Sequence, residues 1–204
     1  MLKLYYMPGA CSLATHIVLE WIGAPYEAQR VSRAELKSPA YLQINPAGAV
    51  PALMAEGTVL TQNAAVLNYL AERFPAARLG GDGTAIGHAT VQSWLGFANS
   101  DIHPAFKPLF GATAYLEDEA AIEKSKAHAR KMLRAFFERV DAQLQNHDWI
   151  AGSRSIADPY LFAMLRWTPG VKVDLSGLGA VERFQARMHQ DKGVAQALKD
   201  EGLA

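Results

Sequence analysis

Every strand-like run in this chain falls within its first 61 residues, and beyond residue 84 the apolar residues recur only at helical spacing. That division predicts a small α/β unit followed by an all-helical one. Leu2, Leu4 and Tyr6 alternate with Lys3 and Tyr5, Pro8-Gly9 breaks the run, and Leu13, Ile17 and Leu19 to Ile22 resume at helical spacing. Tyr26 to Val31 reads as a second strand beyond the Gly23-Ala24-Pro25 break, which gives a βαβ unit with parallel strands. Ala52-Leu53-Met54 and Val59-Leu60-Thr61 flank Ala55-Glu56-Gly57-Thr58 as a hairpin, and a helix follows from Gln62 to Phe74.

Pro75 and Gly80-Gly81-Asp82-Gly83 have the composition of an interdomain linker. The predicted organisation is a βαβ-ββα domain over residues 1–76, a linker over 77–84 and an all-α domain over 85–204. Helices are expected over Ile86 to Ile102, Glu119 to Leu144, Ala157 to Trp167 and Leu178 to His189. In Ser155-Ile156-Ala157-Asp158 a serine precedes an acid by three positions, so each side chain can satisfy an orphan amide at a helix start.

A chain of 204 residues is long enough for two unequal domains, each with its own core. Its 20 basic and 20 acidic side chains balance, so no general electrostatic attraction draws it to nucleic acid or an anionic membrane. No window approaches the roughly 18 apolar residues of a membrane span, and Met1 to Tyr6 lacks the features of a signal peptide. The expected location is cytoplasmic and the expected partner small, neutral or protein. One cysteine excludes an internal disulfide framework, leaving Cys11 either reactive or merely buried.

Pro8 and Gly9 place Cys11 and Ser12 at a helix N-terminus, where free amides and the positive dipole end favour an anion. A thiol at its reference pKa of ~8.5 is only about 3% ionised at pH 7, and lowering it by two units raises that to roughly three quarters. The alternative is that Cys11 is a small hydrophobe and Ser12 a helix cap. Val50-Pro51 has two readings as well. A cis bond would turn the Val50 amide and carbonyl toward an extended peptide ligand, whereas a trans bond leaves a plain loop. Gln62 and Asn63 open a helix whose amides suit a carboxylate, although capping alone would explain Asn63. His103, at the end of a predicted helix, can hydrogen-bond a thiol or stabilise a thiolate. The other histidines, among them His88, His128 and His147, show no metal-ligand spacing, so no metal is expected.

Taken in order, Lys3-Leu4-Tyr5-Tyr6 with Pro8-Gly9-Ala10-Cys11-Ser12, Ile44-Asn45-Pro46 with Gly48 and Val50-Pro51, and Leu60-Thr61-Gln62 resemble the bacterial beta-class glutathione transferases. The match continues through Ser100 with His103, Pro108-Leu109-Phe110, the Ser155-to-Asp158 box, Tyr160-Leu161-Phe162 and Trp167. The resemblance implies a thioredoxin-like N-terminal domain, an all-helical C-terminal domain and a homodimer with active sites near the subunit boundary. It implies that glutathione is a co-substrate with no further cofactor. Glutathione would lie along Val50, with its γ-glutamyl end near Gln62 and Asn63, its glycyl end near Lys37, and its sulfur near the catalytic residues Cys11, Ser12 and His103. Ser100 joins the glutathione-binding set, and Phe106, Phe110 and Trp167 line an apolar pocket for a small electrophile.

Several positions depart from the family pattern. Gly96 stands where asparagine is usual, Pro104 where lysine is frequent, Ala47 and Ala49 where lysine and glutamine are common, Asn63 where serine is usual, and Pro159 where alanine is. A charge-assisted hydrogen bond contributes roughly 1.5 to 3 kcal/mol, so losing one predicts binding weaker by about ten-fold or more. Three activities follow. Glutathione thiolate attacks an electrophile, with Cys11 positioning the sulfur; or Cys11 itself forms a mixed disulfide in thiol transfer, resolved by a second glutathione; or the protein carries apolar ligands without catalysis.

Overall fold

The computed structural model describes all 204 residues. Strand β1 (Leu2–Tyr6) is followed by helix α1 (Ser12–Ile22) and strand β2 (Tyr26–Arg30), then α2 (Pro39–Ile44), β3 (Ala52–Ala55), β4 (Thr58–Thr61) and α3 (Asn63–Arg73). The sheet runs β2-β1-β3-β4, with β2 parallel to β1 and the β3-β4 hairpin antiparallel, pairing Leu4 with Leu53 and Leu53 with Leu60. β1 is central and covered on both faces. Leu2, Leu4 and Tyr6 enter the main core, while Tyr5 points to a smaller cluster with Val31, Leu36 and Tyr41. The hairpin turn is two residues, Glu56-Gly57, both at positive φ (51° and 81°), one residue tighter at each end than the sequence suggests.

The helical half comprises α4 (Ala85–Phe97), the short α5 (His103–Ala105), α6 (Glu119–Leu144), α7 (Ala157–Leu165), α8 (Gly179–Gln190) and α9 (Lys192–Asp200). The single helix expected over Ile86 to Ile102 ends as an α-helix at Phe97 and continues as a π-turn over Ala98–Ile102. There the His103 amide reaches back five residues to the Ala98 carbonyl. Pro104 has no amide to donate to the next rung, so the wider turn meets a break already present in the ladder. The short α2 and the C-terminal α9 were not anticipated, and the helices expected to end at Trp167 and His189 end at Leu165 and Gln190.

α7 is buried on every side, from Ala157 to Leu165, as expected of a helix apolar all round. On the long α6 only one stripe is buried: Ala129, Leu133, Phe137, Val140 and Leu144, at steps of three and four. Asp141 extends that stripe to cap a neighbour, accepting hydrogen bonds from the Ala180 and Val181 amides at 2.8 and 2.9 Å where α8 begins. α1 packs against α3 in its own half and against α7 and α9 in the other. One continuous apolar core therefore runs through both halves, from Leu4 and Ile17 to Phe162 and Phe184.

Candidate active site

A cavity of about 270 Å³ opens between the two halves. The corner after β1, the loop before β3 and the start of α3 form one wall, with Cys11, Val50, Gln62 and Asn63; Asn99, His103, Lys107 and Tyr160 form the other. A groove of about 920 Å³ along the linker is larger, but only two of its lining residues are apolar. It has no thiol, and the residues that the sequence singles out, Cys11, Gln62, Asn63 and His103, meet in the smaller cavity.

At the corner the Ser12 hydroxyl is fully buried, accepting from the Met7 amide at 3.2 Å and donating to the Met7 carbonyl at 3.3 Å. Ser12 closes the turn and does not line the cavity. Cys11 donates its thiol to the Val50 carbonyl at 3.4 Å. Burial pushes the thiol up to about 12, outweighing the backbone amides of Cys11 and Ser12 that act in the opposite direction. The helix-start effect anticipated from sequence is present but loses to desolvation, so at neutral pH Cys11 is a hydrogen-bond donor.

The Val50–Pro51 bond is cis. The Val50 amide has no acceptor within the chain, so it is free for a ligand lying alongside. The loop leading to it is held by Asn45, only 3% exposed, whose amide group donates to the Ala49 carbonyl at 2.7 Å, a carbonyl that also receives the Tyr41 hydroxyl at 2.8 Å. Gly48 has φ of 58°, and a side chain there would collide with the Leu36 carbonyl and with Lys37 Nζ. Lys37 is thereby placed beside the loop, exposed and outside the cavity lining.

Gln62 sits at the strand-to-helix junction with φ of 69°, an uncommon state for a non-glycine residue and one that clusters at functional sites. Its side chain is exposed at the cavity mouth, ahead of the free amides that open α3. Asn63 is a brace: it accepts from the Thr15 hydroxyl at 2.9 Å and donates to the Cys11 carbonyl at 3.1 Å, joining α1 to α3 behind the thiol.

On the opposite wall His103 Nδ1 lies 2.7 Å from the Tyr160 hydroxyl, which also reaches Asn99 Oδ1 at 3.2 Å. Burial, helped by the Lys107 cation, holds the imidazole below its ordinary value and hence neutral. Tyr160 is raised, first by burial and then by the proximity of Cys11. α7 carries Tyr160 and starts at the Ser155-to-Asp158 box. Asp158 accepts from the Ile150 and Ser155 amides at 2.9 and 2.8 Å and from the Ser155 hydroxyl at 3.0 Å. Ser155 returns the bond to the Ala157 amide rather than to Asp158.

Phe106 and Phe110 stack with centroids 5.7 Å apart, and Trp167 meets both edge-on, its indole N–H donating to the Gly9 carbonyl at 2.7 Å. Phe106 is fully buried, so the apolar surface beside His103 comes from Phe110 and Trp167. Ser100 is exposed on the π-turn and does not line the cavity. Sequence reasoning missed Asn99, Lys107 and the roles of Tyr160 and Asn45. Asn99 enters the cavity three residues after Gly96, and Lys107 supplies a cation three residues after Pro104. Also missed was Glu201, buried after α9, which accepts from the Gly9 amide at 2.9 Å and so fixes the corner from the C-terminus.

Residues 1–72 match the family Glutathione S-transferase, N-terminal domain, and residues 102–191 match Glutathione S-transferase, C-terminal domain. The glutathione S-transferase GST-4.5 of Xanthomonas campestris pv. campestris is 53% identical over 203 residues, covering 99% of this chain and all of the relative. GstA of Escherichia coli O157:H7 is 36% identical over 207 residues, again covering 99% and 100%. Among solved structures, a glutathione S-transferase from Xylella fastidiosa superposes with a TM-score of 0.97 at 49% identity, covering both chains fully. A sphingomonad glutathione S-transferase complexed with glutathione gives 0.87 at 38%, covering 99% of this chain and 100% of the other. The beta-class enzyme of Sphingomonas chungbukensis gives 0.87 at 36%, with the same coverage. With relatives of that identity aligned over nearly its whole length, the chain belongs to the glutathione S-transferase family.

Proposed function

We propose that the cavity takes glutathione and that the protein, a homodimer acting in detoxification in the cytoplasm, transfers the glutathione sulfur to an apolar electrophile. The observation that carries this reading is the pairing of the Cys11 thiol with the Val50 carbonyl beside a free Val50 amide. A tripeptide laid along Val50 in strand fashion satisfies that amide and brings its own cysteinyl sulfur to Cys11. Residues 1–76 hold glutathione: the γ-glutamyl carboxylate meets the first-turn amides of α3 near Gln62, with Asn63 bracing them, and Lys37 reaches the glycyl end. Residues 85–204, beyond a linker at 77–84, hold the electrophile against Phe110 and Trp167, with Phe106 behind them.

In the chemical step the glutathione S–H loses its proton to the neutral imidazole of His103, oriented by Tyr160, or to water. The thiolate accepts the Cys11 hydrogen bond and attacks the electrophilic carbon; the new C–S bond forms as the leaving group departs with its electron pair. Because Cys11 holds its own proton so firmly, conjugation is favoured over thiol transfer through a Cys11 mixed disulfide. The test compares conjugation to a chlorinated nitroaromatic and reduction of a glutathione mixed disulfide in wild type and Cys11→Ala. Conjugation persisting at reduced rate in the variant is expected. Loss of mixed-disulfide reduction alone, with conjugation unchanged, would make Cys11 the nucleophile of a thiol transfer, and wild-type protein that binds no glutathione at millimolar concentration in calorimetry would end both catalytic readings in favour of an apolar-ligand carrier.

A further inference from the structure

We infer that His16, Glu20 and Asp200 form a site for zinc or a zinc-like divalent cation that ties the first helix to the last. His16 is fully buried in α1, its ring packed against Tyr6 and Tyr26 with centroids 5.1 and 5.8 Å away. Nδ1 lies 3.0 Å from Glu201 Oε1, between side chains that are both fully buried. Nε2 is buried too and has no hydrogen-bond partner. An orphaned polar atom in a native interior carries a desolvation penalty and calls for a physical reason.

Glu20 follows His16 by one helical turn, on the same face of α1, and Asp200 closes α9. One ligand atom from each of the three side chains lies within 4.8 Å of the others. With Nδ1 engaged by Glu201, Nε2 is the ring nitrogen left to coordinate. A carboxylate that takes the far N–H of an imidazole fixes its tautomer and makes the near nitrogen a better ligand, and this is the outer-shell partner that metal-binding histidines have. Here Glu201 occupies that place. The carboxylates are held in turn: the Tyr26 hydroxyl donates to Glu20, and the Gln196 amide donates to Asp200 Oδ1 at 2.8 Å.

One imidazole nitrogen and two carboxylate oxygens make a donor set that zinc accepts, with a water as fourth ligand. Tetrahedral ligands on zinc stand about 3.4 Å apart, so the carboxylates need only swing inward. Each carboxylate keeps a second oxygen beside the one that takes its hydrogen bond, and with Glu20 half-buried and Asp200 exposed the ion has a way in. None of the three lines the cavity, so the ion's effect is to hold α9 against α1. The residue after Asp200 is Glu201, which anchors the Gly9 amide at the Cys11 corner. The inference rests on no part of the glutathione reading.

The test uses the full chain stripped with a chelator and titrated with zinc by calorimetry and thermal unfolding, and with Co²⁺ by visible absorption. Replacing His16 would also break the Glu201 bond, so the variants are Glu20→Gln and Asp200→Asn, checked by circular dichroism for an unchanged fold. Expected are one ion per chain, a Tm that climbs with zinc concentration, intense tetrahedral-type Co²⁺ bands, and zinc affinity lowered about ten-fold or more in each variant. Absence of binding up to millimolar zinc would overturn the site. Equal affinity in wild type and both variants would do the same, placing the zinc on surface histidines such as His128 and His147.

Discussion

The wall of the cavity drawn from residues 11–63 and the wall drawn from residues 99–160 face the same space with different chemical groups. The first offers backbone: the Val50 amide, the Val50 carbonyl that receives Cys11, and the opening amides of α3. Apart from Gln62 at the mouth, its polar side chains Asn45 and Asn63, with Ser12 behind the corner, hold that backbone in place. The second offers side-chain tips, Asn99, His103, Lys107 and Tyr160, on a π-turn, a short helix, the 3-10 turn that follows it and the buried α7. Under the proposed function the first wall chiefly binds and the second chiefly carries the proton chemistry. Damage to the bracing side chains of the first wall should then lower stability and ligand affinity together, and damage to the His103–Tyr160 pair should lower turnover with the fold intact.

The sharpest way to break this comparison is to ask whether Cys11 is a reactive group at all. Relative to an ordinary thiol at 9.0, a value of about 12 leaves about a thousand-fold less thiolate at neutral pH. Alkylation of ligand-free protein by iodoacetamide should be slow at pH 7 and still rising ten-fold per pH unit near pH 10. A rate that levels off by pH 8 would favour the other reading of the helix start, a reactive cysteine.

Next in size is Asn63→Ala. It strands the Thr15 hydroxyl and the Cys11 carbonyl, both bonded to Asn63, and should cost about 2 to 4 kcal/mol in urea unfolding. The KM for glutathione should rise with it, because α1 and α3 lose their register. Unchanged KM in a folded variant would detach the brace from binding.

Tyr160→Phe should behave in the opposite way. It removes one hydroxyl shared by His103 and Asn99, with stability expected within about 1 kcal/mol of wild type and kcat down about ten-fold at little change in KM. A fall in affinity instead would make Tyr160 part of the binding wall. The smallest effect belongs to Lys107→Ala. An exposed cation at the mouth should change the glutathione KM by about two- to five-fold, and less so at high salt.

How much of this was legible in sequence depends on how far apart the cooperating residues lie. Period-two and helical spacing located β1, α1, the hairpin and α6 because each pattern is complete within one segment. The six-residue α2 escaped because its turns hold too few apolar positions to show a period, and the nine-residue α9 because it lacks the serine-to-acid start that marked the equally short α7. The Cys11 corner was found from Pro8-Gly9, but the sequence left open whether the thiol there is activated or simply buried, and burial outweighs the helix start. A helix terminus acts over its first turn, whereas burial of the thiol depends on Val50, 39 residues away, and on the opposite wall. Tyr160 was visible as an aromatic in an apolar run, but its hydroxyl gains a role only where α7 passes the π-turn.

The sequence by itself determined a mixed four-stranded half followed by a helical half, and the positions of the corner, the proline loop and His103, since these rest on local periodicity and backbone restriction. Tertiary structure decided which side chains of those motifs face the cavity and which face inward, the protonation of Cys11 and His103, and the pairing of His16 with Glu201 across 185 positions. Those outcomes follow from desolvation and from contacts between distant segments, and both come into existence only when the two halves close on a shared core.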